Sequence, residues 1–360
     1  MAGVYISYPF CEQKCSFCNF ASNVGRGDEP ERYHAALLAE IRSHEWQWLP
    51  QTVYFGGGTP SLMPTPLLAE IMGAILPNEL SEVTIECAPG TITRDAVWEW
   101  RKAGVNRVSM GVQSFSPNEL RLTGRRHTKR TVADDLALLR SEGLNNINLD
   151  LIAGLPEQTL SSWEGSLDAI EELQPPHVSV YVFESDEDSR LGKELTLGGV
   201  RYGAAQMPSD DLMAELYERA VERLARMGIH RYEISNFAKD GFESQHNMKY
   251  WLLEPYVGFG LDAHSYDGKV RWSNPDNLPD YLAGRPAEPV ASDFSEEHFF
   301  VGLRLMKGIE PTEAEGVRFA KPIQKWVGAG MLERDGSRLR LSPAGVLLSN
   351  EIFQEFIDAD

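Results

Sequence analysis

From the start of the chain to about residue 235, short β-branched or aromatic runs alternate with stretches of helical spacing. The runs at 4–7, 52–55, 82–86, 107–111, 146–151 and 177–183 predict six strands. Between them, Tyr33, Leu37, Leu38 and Ile41 fall on one helical stripe, with Asp28 placed to cap it. Leu167, Ile170 and Leu173 repeat that spacing until Pro175 and Pro176 stop the helix. Six strands alternating with helices predict parallel β/α units, an α/β fold. The alternation by itself leaves an open doubly wound sheet and a barrel equally available.

Polar punctuation narrows the choice. The first strand runs into three cysteines, the second into Gly56-Gly57-Gly58-Thr59-Pro60. The third ends at Glu86, the fourth runs into Gly111-Val112-Gln113, and the fifth carries Asp150. All lie at C-terminal strand ends, the end that hosts the site in parallel β/α folds. Chemistry drawn from five successive strand ends predicts a closed or nearly closed barrel over residues 1–239.

Residues 240–292 differ. Pro, Gly, Asn and aromatics dominate without a long amphipathic period, and the segment reads as a connection. It contains His246-Asn247-Met248-Lys249-Tyr250-Trp251 and Gly258-Phe259-Gly260-Leu261-Asp262-Ala263-His264. Helical spacing returns over 293–360. Phe299, Leu303 and Met306 form one stripe, and Ile323, Trp326 and Val327 another. A short alternating strand at 338–341 follows, then a helix opening near Ser342 and Pro343. This order predicts a small α+β module of winged-helix type.

Composition excludes several classes. The formal charge is 34 − 53 = −19, which argues against a generic nucleic-acid binder. The longest apolar runs are strand-sized, shorter than the ~20 residues a transmembrane helix needs. The N-terminal residues carry no charged region followed by an apolar core, so the expected location is the cytoplasm. Three of the 4 cysteines crowd into Cys11-x3-Cys15-x2-Cys18. In a reducing compartment that spacing points to metal. Three thiolates on one loop can reach three irons of a cubane and leave the fourth open, whereas structural zinc takes four protein ligands. Cys87, beyond a later strand, is the one candidate for a fourth; it reads better as a packed thiol.

The loop after the first strand resembles the radical S-adenosylmethionine (SAM) superfamily. The resemblance implies a partial (β/α)6 barrel, a 4Fe-4S cluster on Cys11, Cys15 and Cys18, and SAM on the fourth iron. The segments YISYPFCEQKCSFCNF, VYFGGGTPSL, RVSMGVQSF, NLDLIAGLPEQT and RYEISNFA extend it over nearly the whole chain, to the coproporphyrinogen III dehydrogenase-like family. That family's SAM contacts fall on Tyr5, Phe17, Gly57, Gly58, Thr59, Glu86, Gln113, Arg125 and Asp150.

Two branches of the family compete. Dehydrogenases, which convert propionate side chains to vinyl groups, carry a further cysteine two positions on and a longer N-terminal arm. Here position 20 is Phe20 and ten residues precede Cys11. HNMKYW instead is similar to the H-N-x-x-Y-W motif of the heme-chaperone branch. That resemblance implies heme as a third ligand, heme-acceptor apoproteins as partners, and an electron donor for the cluster. His246 offers an imidazole for heme iron, with Tyr250 four residues on and so on the same helical face. Tyr250 and Trp251 can stack on a porphyrin, or the aromatic patch can dock the C-terminal module. His264, in Gly-rich surroundings, reads as structural. The chain departs from the family's pattern at Ser7, at Cys87-Ala88-Pro89 and at Glu184, which bears on the shape of the cofactor pocket. A metal-binding scaffold without catalysis is the third reading, weakened by the full set of strand-end polar residues.

Overall fold

The computed structural model describes residues 2–75, 79–286 and 288–357. All six expected strands form: β1 (Ala2–Tyr8), β2 (Pro50–Gly57), β3 (Glu82–Cys87), β4 (Arg107–Gln113), β5 (Asn146–Ala153) and β6 (His177–Val182). Each pairs in parallel with the next, and their order in space is their order in the chain. A doubly wound sheet reverses direction at a switch point; an unbroken run from first to sixth is a barrel wall. The wall stays open. β6 continues antiparallel into β8 (Asn236–Ala238), which pairs with the short β7 (His230–Arg231). This is a partial (β/α)6 barrel, as the resemblance implies, and more open than the strand ends alone suggest.

Apart from the exposed Tyr181 and Val182 at the end of β6, the six strands are largely buried on both faces, which is why they read as near-continuous apolar runs. Helices close the outer face. The helix Glu29–Ser43 buries Tyr33, Leu37 and Ile41, as its stripe predicts. Asp28 does stand at its N-cap, but its side chain makes no capping bond. Pro30 in the first turn and the acidic Glu29 and Glu31 favour that end instead. In the helix Leu160–Leu173, Thr159 and Ser162 form a reciprocal capping box, and Gln174 turns left-handed just before the two prolines. Trp163 on that helix is fully buried and donates to the Leu216 carbonyl at 2.7 Å. Truncating it to Ala would cost about 3–5 kcal/mol.

The stretch 240–292 is more than a connection. After the helix Gln245–Trp251, β9 (Tyr256–Phe259) pairs in parallel with the other edge of β1. Then β10 (His264–Tyr266), β11 (Val270–Ser273) and β12 (Val290–Ala291) extend the sheet antiparallel. The sheet therefore has twelve strands among the described residues, with β1 inside it.

The C-terminal module combines the helices Phe294–Phe300, Glu313–Arg318 and Ala320–Gly328 with a hairpin, β13 (Leu332–Asp335) and β14 (Arg338–Leu341). Two short helices, Pro343–Leu347 and Ser349–Gln354, follow. Its core is the triplet Phe299, Phe319 and Phe356, all fully buried, with ring centroids 4.6–5.6 Å apart. Ser342 caps the helix that starts at Pro343.

Candidate functional site

The barrel mouth holds two neighbouring cavities. The first, of about 430 Å³, gathers Cys11, Cys15, Phe17, Cys18, Gly57, Gly58, Thr59, Glu86, Gln113, Arg125 and Asp150. Eleven residues singled out from the sequence thus meet in one cleft.

The cysteine loop is anchored at its ends and leaves its thiols facing the cleft. Phe10 bridges to Asn23, and the Cys11 amide donates to the Asn23 carbonyl at 2.9 Å. Lys14 crosses the loop to the carbonyls of Phe20 and Ser22, at 2.9 and 3.1 Å. The loop also leans on the barrel. The Ser16 amide donates to the Thr123 carbonyl, and Gln13 donates to that of Gly124. All three thiols are partly exposed. Burial pushes the Cys11 thiol up, opposed by the Thr59 hydroxyl. Among the described residues no group of three metal-ligating side chains converges on one point. Cys87 lines the same cleft but is buried, and burial drives its thiol far above the ordinary range. A thiol held protonated is a poor ligand.

Glycine is required beside the loop. A side chain on Gly58 would place its Cβ 2.6 Å from the Pro9 carbonyl, and Gly57 adopts φ = 106°. This close approach leaves backbone groups lining the cleft. The Gly57 N–H donates to Glu86 at 3.2 Å, and Tyr54 donates to the other carboxylate oxygen at 2.9 Å. Burial and the neighbouring Asp150 carboxylate nonetheless raise Glu86 to about 7. Burial also raises Asp150, opposed by Ser179, Asn148, Arg107 and Arg125. The Arg125 guanidinium donates to the Gly111 carbonyl at 2.8 Å, while its buried Nε has no partner. Gln113 sits at φ = 71° just past a register shift in β4. Left-handed backbone in a non-glycine residue is costly and clusters at functional sites. His127 also faces this cleft, unforeseen from the sequence; burial and Arg125 lower it to about 4.

The second cavity, of about 540 Å³, is aromatic. Tyr5, Phe20, Tyr250, Trp251, Tyr256 and Phe300 contribute to its walls, with Asp262, His264 and Arg271 among the polar members. Gly57 and Phe20 line both cavities. Tyr5, which the resemblance assigns to SAM, is among the lining of this cavity and not of the cysteine cleft.

The helix Gln245–Trp251 splits its roles. Its N-terminus is held by buried Glu82, which accepts from the amides of Gln245 and His246 at 2.9 and 3.0 Å. His246 is wholly buried, and its ring lines neither cavity. Nδ1 bonds the Thr52 hydroxyl and Nε2 the Tyr250 hydroxyl, both at 2.8 Å. Burial, then Lys249 and Arg107, lower it to about 3, so the ring is neutral with both nitrogens occupied. A ring so placed has no lone pair to offer heme iron; its visible task is to orient Tyr250. Trp251 lines the aromatic cavity, and Arg304 of the C-terminal region lies over its ring at 4.5 Å, the docking contact considered from the sequence. His264 corrects the structural reading. Its side chain is 68% exposed and faces the cavity. Glu184 is engaged by Asn350 at 3.0 Å and lines neither cavity.

The radical SAM superfamily profile matches residues 5–170. The heme chaperone HemW of Lactococcus lactis is 32% identical over 98% of this chain and 96% of its own length. HemW of Bacillus subtilis is 32% identical over 99% of each, and HemW of Escherichia coli 32% over 86% of this chain and 84% of its own. The chain belongs to the HemW family. Its fold is that of the coproporphyrinogen III oxidase HemN of Escherichia coli, with a TM-score of 0.83 and 21% identity over 99% of this chain and 90% of that one. Membership of the superfamily implies a 4Fe-4S cluster and SAM, and the cleft fits them: three accessible thiols, a glycine cradle, and an unpartnered buried Arg125 Nε. No helix among the described residues is long and apolar enough to cross a membrane.

Proposed function

We propose that this chain carries heme in the aromatic cavity, beside a cleft that holds the cluster and SAM, and delivers heme to acceptor apoproteins. The observation that carries the reading is the pairing of the two cavities across Gly57 and Phe20. One has the thiols and half-buried carboxylates of a cofactor site. The other has the aromatic walls and size suited to a flat apolar macrocycle. The relatives described as heme chaperones support heme as the occupant.

In this reading Cys11, Cys15 and Cys18 each hold one iron, and Phe17 shields the loop. Gly57, Gly58 and Thr59 receive the methionyl end of SAM, while Glu86, Gln113, Arg125 and Asp150 meet its ribose and carboxylate. When bound, the pair supplies one-electron chemistry, for which an electron donor is a further partner. Tyr250, oriented by His246, and Trp251 flank the heme. Phe20 is 63% exposed, so the aromatic cavity has a side open to an acceptor.

A radical enzyme acting on a tetrapyrrole is the rival reading, favoured by the likeness of fold to the oxidase. The anaerobically reconstituted protein is offered heme and coproporphyrinogen in parallel. Stable heme retention without vinyl product supports the chaperone. Decarboxylated product with no heme retention replaces that reading with the enzyme.

A further inference from the structure

We propose that Arg271 anchors a propionate carboxylate of the macrocycle, so that the aromatic cavity selects tetrapyrroles with free acid side chains. The assignment rests on the heme-carrying reading above. It concerns the carboxylate edge of the ligand and not its iron. Aromatic walls can hold any flat apolar ring and give no reason for an acidic one. A fixed cation does. Among the described residues lining the cavity, Arg271 is the one lysine or arginine.

Arg271 is held from three sides. It lies on β11, and its Nε and Nη2 donate to the two carboxylate oxygens of Glu297, both at 2.6 Å. Nη1 donates to the Tyr256 hydroxyl at 2.7 Å. The guanidinium carbon stands 4.3 Å from the centre of the Tyr266 ring. Glu297 is buried on the helix Phe294–Phe300, so the C-terminal module fixes the cation that β11 presents. A guanidinium has five N–H donors, and these contacts use three. One N–H remains on each terminal nitrogen. The side chain stays 34% exposed and lines the cavity. A planar fork fixed in this way is pre-organised for a second carboxylate.

The anchor stands beside the aromatic wall. Tyr256, whose hydroxyl it holds, meets Tyr250 edge to face at 4.6 Å. Phe300, one turn beyond Glu297 on the same helix, also lines the cavity. A ring lying against these side chains therefore has its rim near the guanidinium. Asp262 is the one carboxylate among the described lining residues, and like charge disfavours a propionate on its side. Glu297 already offsets the charge of Arg271, so the directed N–H fork, and not net charge, carries the recognition. A lysine, with a point charge and no planar fork, should not replace it.

The test titrates the reconstituted protein with heme and with heme dimethyl ester, which keeps the ring and the iron but carries no free propionate. The wild type should bind the ester at least about tenfold more weakly. Arg271→Lys, which keeps a cation for Glu297 and loses the fork, should bind the two alike. So should the double variant Arg271→Gln, Glu297→Gln, which leaves no buried carboxylate alone. Affinity for the ester itself should barely change, a result that general damage to the cavity would not give. Cluster content and SAM binding report folding and should stay at wild-type level, because Arg271 does not line the cysteine cleft. Equal wild-type affinity for acid and ester overturns the anchor and leaves the heme-carrying reading standing. So does a preference for the acid that persists in both variants. If both variants lose the cluster, the wild-type comparison of acid and ester decides alone. If the wild type retains neither compound in either iron oxidation state, the heme-carrying reading falls and the assignment falls with it.

Discussion

Replacing Glu86 by Gln should make the protein more stable at high pH while weakening its hold on SAM. Glu86 is raised from 4.5 to about 7, by burial first and then by Asp150. The folded state thus keeps a proton that the unfolded chain loses between pH 4.5 and 7. Stability from this group is present at low pH and is lost as pH rises through that window. Linkage with these two values gives a loss of roughly 2.5 kcal/mol between pH 5 and pH 8. Gln removes the ionisation. It keeps one acceptor oxygen for Tyr54 or the Gly57 amide but not both, at a cost of about 1 kcal/mol that does not depend on pH. The difference in unfolding free energy between variant and wild type should therefore move by ~2.5 kcal/mol in favour of the variant from pH 5 to pH 8, the constant cost cancelling. Urea denaturation of the cluster-free protein at the two pH values measures it. In the wild type, SAM affinity should also drop about tenfold on going from well above pH 7 to pH 6, as the carboxylate protonates, and the variant should show no such step. A stability difference that stays constant from pH 5 to pH 8 refutes the account of Glu86.

Three further outcomes follow from the same geometry. Cys87→Ser should retain full iron and sulfide after anaerobic reconstitution, whereas replacing Cys11, Cys15 or Cys18 should abolish the cluster; iron and sulfide assays decide. Asp150→Ala and Gln113→Ala should each weaken SAM binding by ~1–3 kcal/mol, read by equilibrium titration, because polar partners are left without a mate. His246→Ala should lower stability by about 2–4 kcal/mol, since Thr52 and Tyr250 lose their partner and a cavity opens. Its heme spectrum should keep the wild-type ligand signature, which visible absorption checks.

The barrel and its cofactor cleft were legible in the sequence because both are local. Each strand carries its own apolar run, and each polar residue sits where its strand ends, so topology alone gathers Glu86, Gln113 and Asp150. The segment after residue 240 was not legible in that way. Its strands are only two to four residues long, too short to show a period, and β9 is recruited by the edge of β1, some 250 residues away in sequence. His246 illustrates the limit for side chains. Spacing correctly aligned it with Tyr250, and the two do meet. Whether the ring faced a ligand or the core turned on Thr52, a residue of the distant strand β2 whose hydroxyl leaves Nδ1 no freedom. His264 shows the converse. Gly-rich neighbours suggested a packed role; Gly258 does let the strands approach, yet the imidazole itself is exposed.

The two cavities share a wall because β1 has two partners. On one edge it meets β2, whose end supplies Gly57, and on the other it meets β9, which leads to Asp262 and His264. The same strand then runs directly into the cysteine loop, and that loop returns Phe20 over the wall. A single strand thereby sets the distance between thiols, glycine cradle and aromatic cavity, and none of these can shift without straining its pairing. Gly57 borders both cavities. It has no side chain, and its N–H is held by Glu86 on the cofactor side. A fold in which 240–292 were a mere linker would leave the aromatic cavity without a floor. The pairing of β9 with β1 makes that segment half of the site.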